Sequence, residues 1–345
     1  MSVKHFTQLV MALLLTSLLA VNLTSASQED SLPIKVFVLA GQSNMQGHGL
    51  LRTIDWLGED EEYGHLLKTL KNEDGSWSVR DDVWIYYPRN PNTTKQGNLT
   101  VGFGANNNKI GPELMFGHIV GDHFENQVLL IKAAWGGKSL AEDFRPPSSG
   151  GTTGPYYNEM IKIVVDALSN IKEHFPDYQG QGYEIAGFIW FQGWNDMVDE
   201  KRVAEYEENL VNLIKDVRKD LKTPNLPFVV GELGVGGPEE AKKNKRIADI
   251  RKAQAAPANL EEFSGNVACV KTSKYWDNEA HQILKKYWIK RVWTDKDAQE
   301  RFDKMGSQPP YHYLGSGKIY SLIGYGFAKA VIKLQNKTES KGNSN

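Results

Sequence analysis

Short continuous apolar runs alternate along this chain with stretches in which apolar residues recur every three or four positions. The runs at 36–39, 83–87, 128–134, 185–191, 227–231 and 266–271 have the length and continuity of strands buried on both faces. Between them, 156–174 places Met160, Ile161, Val164, Val165, Leu168 and Ile171 on one face of a helix. The segments 203–221 and 239–256 also read as helices, and Pro112 suits the first turn of a further one. The stretch 277–297 reads as mostly helix and 317–334 as a closing helix. The polar stretch 47–108 is interrupted by the run at 83–87. Its Gly- and Asn-rich part, 90–108, lacks the apolar spacing of a core element and reads as surface loop, and 336–345 reads as a polar tail.

Strands and helices in alternation specify an α/β protein with a parallel sheet covered on both faces, that is, a three-layer α/β/α doubly wound arrangement. No internal repeat and no linker divides the chain, so a single domain over 28–335 is expected. The first 27 residues stand apart. Lys4 and His5 precede an apolar core from Leu9 to Val21 that is too short to span a bilayer, and Ser25-Ala26-Ser27 supplies small residues before polar Gln28. This is the pattern of a secretory leader, which implies a secreted or periplasmic protein with no membrane span once 1–27 is removed.

Composition narrows the picture. The chain has 345 residues, a formal net charge of -2 and 40% hydrophobic residues, which is ordinary for a globular protein. That charge balance gives no electrostatic case for nucleic acid. The single cysteine, Cys269, excludes an intramolecular disulfide and sits in an apolar run as a small core residue. There is no His-Glu-x-x-His and no cysteine pair, so no metal is expected. Gly136-Gly137-Lys138-Ser139 resembles the end of a phosphate loop. However, Lys132 stands where that loop needs its first glycine, so nucleotide binding is not expected.

Chemistry gathers at three strand ends: Gly41-Gln42-Ser43-Asn44, Gly136-Gly137-Lys138-Ser139 and Gln192-Gly193-Trp194-Asn195-Asp196. In a doubly wound sheet, sites form at the carboxyl ends of the strands, so these segments converge if their strands are neighbours. Ser43, at a strand-to-helix turn, is either a nucleophile or, with Asn44, a helix cap. A nucleophile needs a base, and its oxyanion needs donors, which glycine backbone N–H groups and the Asn195 amide can supply. His312, in a loop before the last helix, suits the base. His48 is a second choice, while His118, His123 and His281 read as helix histidines.

The segments Gly41-Gln42-Ser43-Asn44-Met45, Trp135-Gly136-Gly137-Lys138-Ser139-Leu140 and Trp190-Phe191-Gln192-Gly193-Trp194-Asn195-Asp196 resemble the first three blocks of the SGNH (GDSL-like) hydrolases. They are most similar to the branch that contains sialate O-acetylesterases and family-six carbohydrate esterases. The resemblance runs from about residue 36 to 330 and implies a flavodoxin-like fold. It further implies a serine esterase that removes O-acetyl groups from carbohydrates without a cofactor, with an acetylated glycan as substrate. A carbohydrate-binding protein without catalysis and an esterase of simple or lipid esters are the alternatives. By the same resemblance Ser43 is the nucleophile and His312 the base, Gly137 (or Gly136) and Asn195 are oxyanion donors, and Gln192 lines the pocket; Gln42 and Trp135, beside these residues, are further candidates to face the substrate, Trp135 by stacking on a sugar ring or else as packing. The family's aspartate three residues before the histidine is Pro309 here. The group orienting His312 is therefore open between a backbone carbonyl, Asp303 and Glu232.

Overall fold

The computed structural model describes residues 32–90 and 92–342, so the leader expected over 1–27 lies outside the described residues. Seven strands form the central sheet: β1 (Ile34–Gly41), β2 (Arg80–Asn90), β3 (Thr93–Leu99), β4 (Val128–Ala134), β5 (Tyr183–Phe191), β6 (Phe228–Gly231) and β7 (Val267–Val270). Their order is β3-β2-β4-β1-β5-β6-β7, and every pairing is parallel except that of β2 with β3. The principal helices are α1 (Ser43–Gln46), α2 (Glu113–His123), α3 (Pro155–Ser169), α4 (Trp194–Met197), α5 (Glu200–Asp220), α6 (Lys245–Ala255), α7 (Asn278–Tyr287), α8 (Lys296–Met305) and α9 (Gly317–Gly342). Phe37 packs on Phe116 of α2, and Phe191 on Phe327 of α9, on one face of the sheet. On the other face Trp190 meets Tyr206 of α5, and Tyr86 meets Asp166 of α3. The expected mostly parallel α/β architecture is present.

Three readings change. The segment 90–108 contains the edge strand β3, whose side chains are mostly exposed and polar, so no buried period marks it. The stretch 277–297 is α7 followed by a hairpin of β8 (Trp288–Ile289) and β9 (Val292–Trp293), with α8 starting only at Lys296. The closing helix runs on to Gly342 through most of the expected polar tail.

What positions the site is the place of β1. It lies at the middle of the sheet between β4 and β5, and Gly41 is in register with both Ala134 and Phe191. The three chemistry-bearing segments therefore leave the sheet side by side at one level. Gly41 has φ +151°, and a Cβ there would meet the Phe191 carbonyl oxygen at 2.2 Å, so this close approach admits only glycine.

Candidate active site

Ser43 opens α1 immediately beyond β1 and is 8% exposed. It is not a cap. Gln42 holds the N-cap position, and among the described residues no group hydrogen-bonds the Ser43 hydroxyl. The following residue ties this turn to the base loop. Asn44 Nδ2 donates to the Tyr311 carbonyl (3.2 Å), and its Oδ1 accepts from the Tyr320 hydroxyl (2.8 Å). Lys132, which spoils the phosphate-loop pattern, is fully buried on β4. Its Nζ donates to the Gln46 carbonyl (2.8 Å), clamping the end of α1, and pairs with Glu113 (2.7 Å).

The donor side is assembled from β4 and β5. Gly136 comes closest to the nucleophile: a Cβ on it would stand 3.9 Å from Ser43 Cβ. Gly137, at φ +72°, has open space in front of it. No group among the described residues occupies the N–H of Ser43, Gly136 or Gly137. The Asn195 amide is fixed by its neighbours. Its Oδ1 accepts from Gln42 Nε2 (3.0 Å), and one Nδ2 hydrogen goes to the Gly137 carbonyl (2.9 Å), which leaves the second free.

Gln42 and Gln192, read from the sequence as substrate-facing, are 1% and 3% exposed, and their amides are consumed inside the protein. Gln42 Oε1 accepts from the Gly193 N–H (3.0 Å), while Gln192 Nε2 donates to the Lys138 carbonyl (2.9 Å) and Gln192 Oε1 accepts from Tyr206 (3.0 Å). They form the floor beneath the site. Trp135 is half-buried against Phe144 and Tyr156, and Trp194 and Tyr311 form an aromatic pair with ring centroids 5.9 Å apart.

Asp196 stitches the floor together. It is buried, accepts from the Leu140 N–H (2.9 Å) and the Ala141 N–H (2.9 Å), and receives Gln192 Nε2 (2.5 Å). Burial pushes its carboxyl up to about 6, against the lowering effect of those hydrogen bonds. A carboxyl raised on folding binds its proton more tightly in the folded chain. Its contribution to stability is therefore greatest at acid pH and declines as pH rises from about 4 to about 6. Removing it is a different matter. Asp196→Ala strands the Leu140 and Ala141 N–H groups in the interior and takes one of the acceptors of the Gln192 amide, and is expected to lower stability by about 2–4 kcal/mol. Urea denaturation at pH 7 reads this; a loss below about 1 kcal/mol would show that the carboxylate does not hold these loops.

His312 lies in the loop before α9. The three residues that follow it, Tyr313, Leu314 and Gly315, have φ of 49°, 60° and 62°. For Tyr and Leu this left-handed backbone costs about 1–2 kcal/mol each. Burial of Tyr313, whose hydroxyl accepts from the Gly234 N–H (2.7 Å) and meets Thr272 Oγ1 (2.8 Å), holds the turn in place. The turn brings the Leu314 carbonyl back onto the N–H groups of Ser307 (2.7 Å) and Gln308 (2.9 Å). Gln308 Oε1 then lies 2.7 Å from His312 Nδ1. An amide oxygen can only accept, so Nδ1 carries the proton and Nε2 is left bare.

This arrangement replaces all three candidates for the orienting group. Asp303 pairs with Arg52 on the surface (2.8 Å), Glu232 accepts from Ser273 (2.8 Å) near Arg251, and the side chain of Gln308 occupies the place considered for a backbone carbonyl. The sequence shows only that position 309 lacks the acid; the amide one residue before it carries no motif of its own.

His48, the second-choice base, stacks on His312 with centroids 3.9 Å apart and planes 8° from parallel. Lys109 Nζ lies 3.2 Å from His48 Nδ1, so that nitrogen accepts. Burial, then the neighbouring His312 and Lys109, push His48 down to about 3, while burial and then Lys109 push His312 down to about 4. Both rings are neutral at pH 7. His118 is buried on α2, and His281 accepts from the Trp276 indole (3.3 Å). Cys269 lies on β7, and burial pushes its thiol up to about 12, so it is no nucleophile. Among the described residues no group of three or more His, Cys, Asp or Glu is placed to hold a metal ion, and no helix is long and apolar enough to cross a membrane.

Known proteins resemble the chain in sequence and in fold. A probable carbohydrate esterase of Arabidopsis thaliana, At4g34215, is 27% identical over 131 residues. That match takes in 37% of this chain and spans 44% of the relative's length. The crystal structure of the Arabidopsis protein superposes with a TM-score of 0.53 at 18% identity, covering 87% of this chain and 98% of that one. The crystal structure of NanS superposes with a TM-score of 0.54 at 13% identity, covering 88% and 98%. These likenesses show a shared fold. The family model described as carbohydrate esterase, sialic acid-specific acetylesterase matches residues 33–284, a span that includes Ser43, Gly137 and Asn195 and stops short of His312. The chain belongs to this carbohydrate esterase family of sialic acid-specific acetylesterases.

Proposed function

We propose that the protein is a serine esterase that removes acetyl groups from sugar hydroxyls. One observation carries the reading: three in-register strand ends present a free Ser43 hydroxyl among unoccupied N–H donors, on a turn that Asn44 ties to the loop of His312, whose tautomer is set by Gln308. Family membership supports the substrate class.

In this mechanism Ser43 Oγ attacks the acetyl carbonyl carbon and its proton passes to His312 Nε2. The carbonyl oxygen becomes an oxyanion held by the Ser43 N–H, a glycine N–H from Gly136 or Gly137, and the free Asn195 hydrogen. When the intermediate collapses, the C–O bond to the sugar breaks and the sugar oxygen takes the proton from His312. Water then attacks acetyl-Ser43 by the same route in reverse roles, releasing acetate and the free serine. Trp194 and Tyr311 border the site and offer faces for a sugar ring. Export through a leader over 1–27 belongs to the same proposal, and a mature N-terminus near Gln28 tests it.

Acetate release from acetylated glycans, set against aryl esters of increasing acyl length, tests the function. Acetyl esters are expected to be favoured; a preference for long acyl chains would assign a lipid esterase. Within the site, Asn195→Ala removes one oxyanion donor and is expected to lower kcat by about 10²–10³-fold with KM little changed. A KM effect with kcat intact would make Asn195 a substrate-binding group.

A further inference from the structure

Beyond Tyr311 the surface carries a cavity of about 440 Å³ with a chemistry of its own. Its walls include His281, Lys285, Trp288, Lys290, Arg291 and Tyr311, and among the described residues no acidic side chain lines it. Lys285, Lys290 and Arg291 have no carboxylate partner among the described residues. Of the nearby acids, Glu279 is engaged with Arg301, Asp277 with Trp56 and the Ala280 N–H, and Asp295 as the cap of α8, while Glu240, whose charge acts on His281, does not line the cavity. Three uncompensated cations around one cavity stand out in a chain of net charge -2.

The hairpin that supplies two of these cations is unusual. Ile289 pairs with Val292, so Lys290 and Arg291 are a two-residue turn, with φ of 50° and 64°. Such a turn requires left-handed backbone at both positions and ordinarily takes Asn-Gly. Here long basic side chains occupy it against that preference. The Trp288 and Trp293 rings stack across the hairpin, and Trp293 packs on Phe302 of α8, so the tip is anchored. The cavity also connects to the chemistry: Tyr311 is one of its walls, and the same ring lies 4.5 Å from the His312 ring and 5.9 Å from Trp194.

We infer that this cavity is a subsite for an acidic sugar flanking the acetylated one, so that the substrate is a glycan chain bearing carboxylate or sulfate groups beside its acetyl ester. The inference rests on the esterase reading for its biological sense and on the cavity for its chemistry. Trp288 and Tyr311 offer aromatic faces for a ring, and the three cations meet its negative group.

Binding tests it apart from catalysis. Titration of the full chain carrying Ser43→Ala with tetragalacturonate, a sulfated carrageenan tetrasaccharide and neutral xylotetraose is expected to show acid-selective binding that weakens with salt. The two acidic probes separate carboxylate from sulfate. Combining Lys285→Ala, Lys290→Ala and Arg291→Ala is expected to weaken the acidic ligand about tenfold or more. A second variant, Lys290→Asn with Arg291→Gly, removes two cations while giving the turn its preferred residues, so weaker binding with unreduced Tm cannot come from misfolding. Equal affinity for xylotetraose, or acidic binding that survives both variants, overturns the subsite. Acid-selective binding without serine-dependent acetate release from any ester would leave the subsite standing and overturn the esterase.

Discussion

Ser43→Ala is expected to abolish acetate release, by about 10⁴-fold or more in kcat/KM, while leaving the fold intact. The size of the effect follows from chemistry: without the hydroxyl there is no acyl-enzyme, and only the donors and the bound geometry remain to assist water. The harmlessness to folding follows from the structure. The Ser43 hydroxyl makes no hydrogen bond among the described residues, so its removal strands no buried partner. The N-cap position belongs to Gln42, so no capping energy is lost. Stability should move by no more than about 0.5 kcal/mol. Steady-state hydrolysis of an aryl acetate together with a thermal melt reads both. More than about 1% residual activity in a folded variant would remove Ser43 from the nucleophile's role.

That a single hydroxyl should carry so much was partly legible from the chain alone, because neighbouring strands deliver their ends to one place. The runs at 36–39, 128–134 and 185–191 are continuous and apolar, and the polar, glycine-bearing segments after them are the ends of β1, β4 and β5. Two kinds of feature were hidden. The first is structure whose stability comes from pairing and not from burial. The polar edge strand β3 leans on β2, and the hairpin at Trp288 turns through Lys290 and Arg291, with no Asn or Gly to announce it. The second is any contact made by tertiary folding. Gln42 and Gln192 look like exposed polar residues at strand ends, yet each is turned inward to brace the loops, because buried backbone donors there need acceptors. Gln308 reaches His312 because three left-handed residues fold the loop back on itself, and of these the sequence marks only Gly315.

The hold on His312 leads to the second large effect. His312→Ala is expected to lower kcat/KM by about 10³–10⁴-fold, since the imidazole assigned to take the Ser43 proton is gone and the neighbouring His48 has its Nδ1 committed to Lys109. Its pH profile carries more information than its loss. The base must be neutral to accept the serine's proton, and burial followed by the Lys109 charge hold its imidazole down to about 4. Wild-type kcat/KM should therefore be level through neutrality and fall only as pH drops through about 4, where protonation removes the base. Gln308 positions this ring. Gln308→Ala leaves the Nδ1 proton without an acceptor, so activity is expected to fall about 10–100-fold, with the acid limb little moved. Gln308→Glu sets a carboxylate beside Nδ1, which favours the imidazolium and should raise the limb by about 1–2 pH units. A merely structural role for Gln308 would lower activity in both variants without separating their pH profiles. A wild-type limb near 6.5 would mean that solvent reaches His312 freely, and that neither burial nor Lys109 governs its charge.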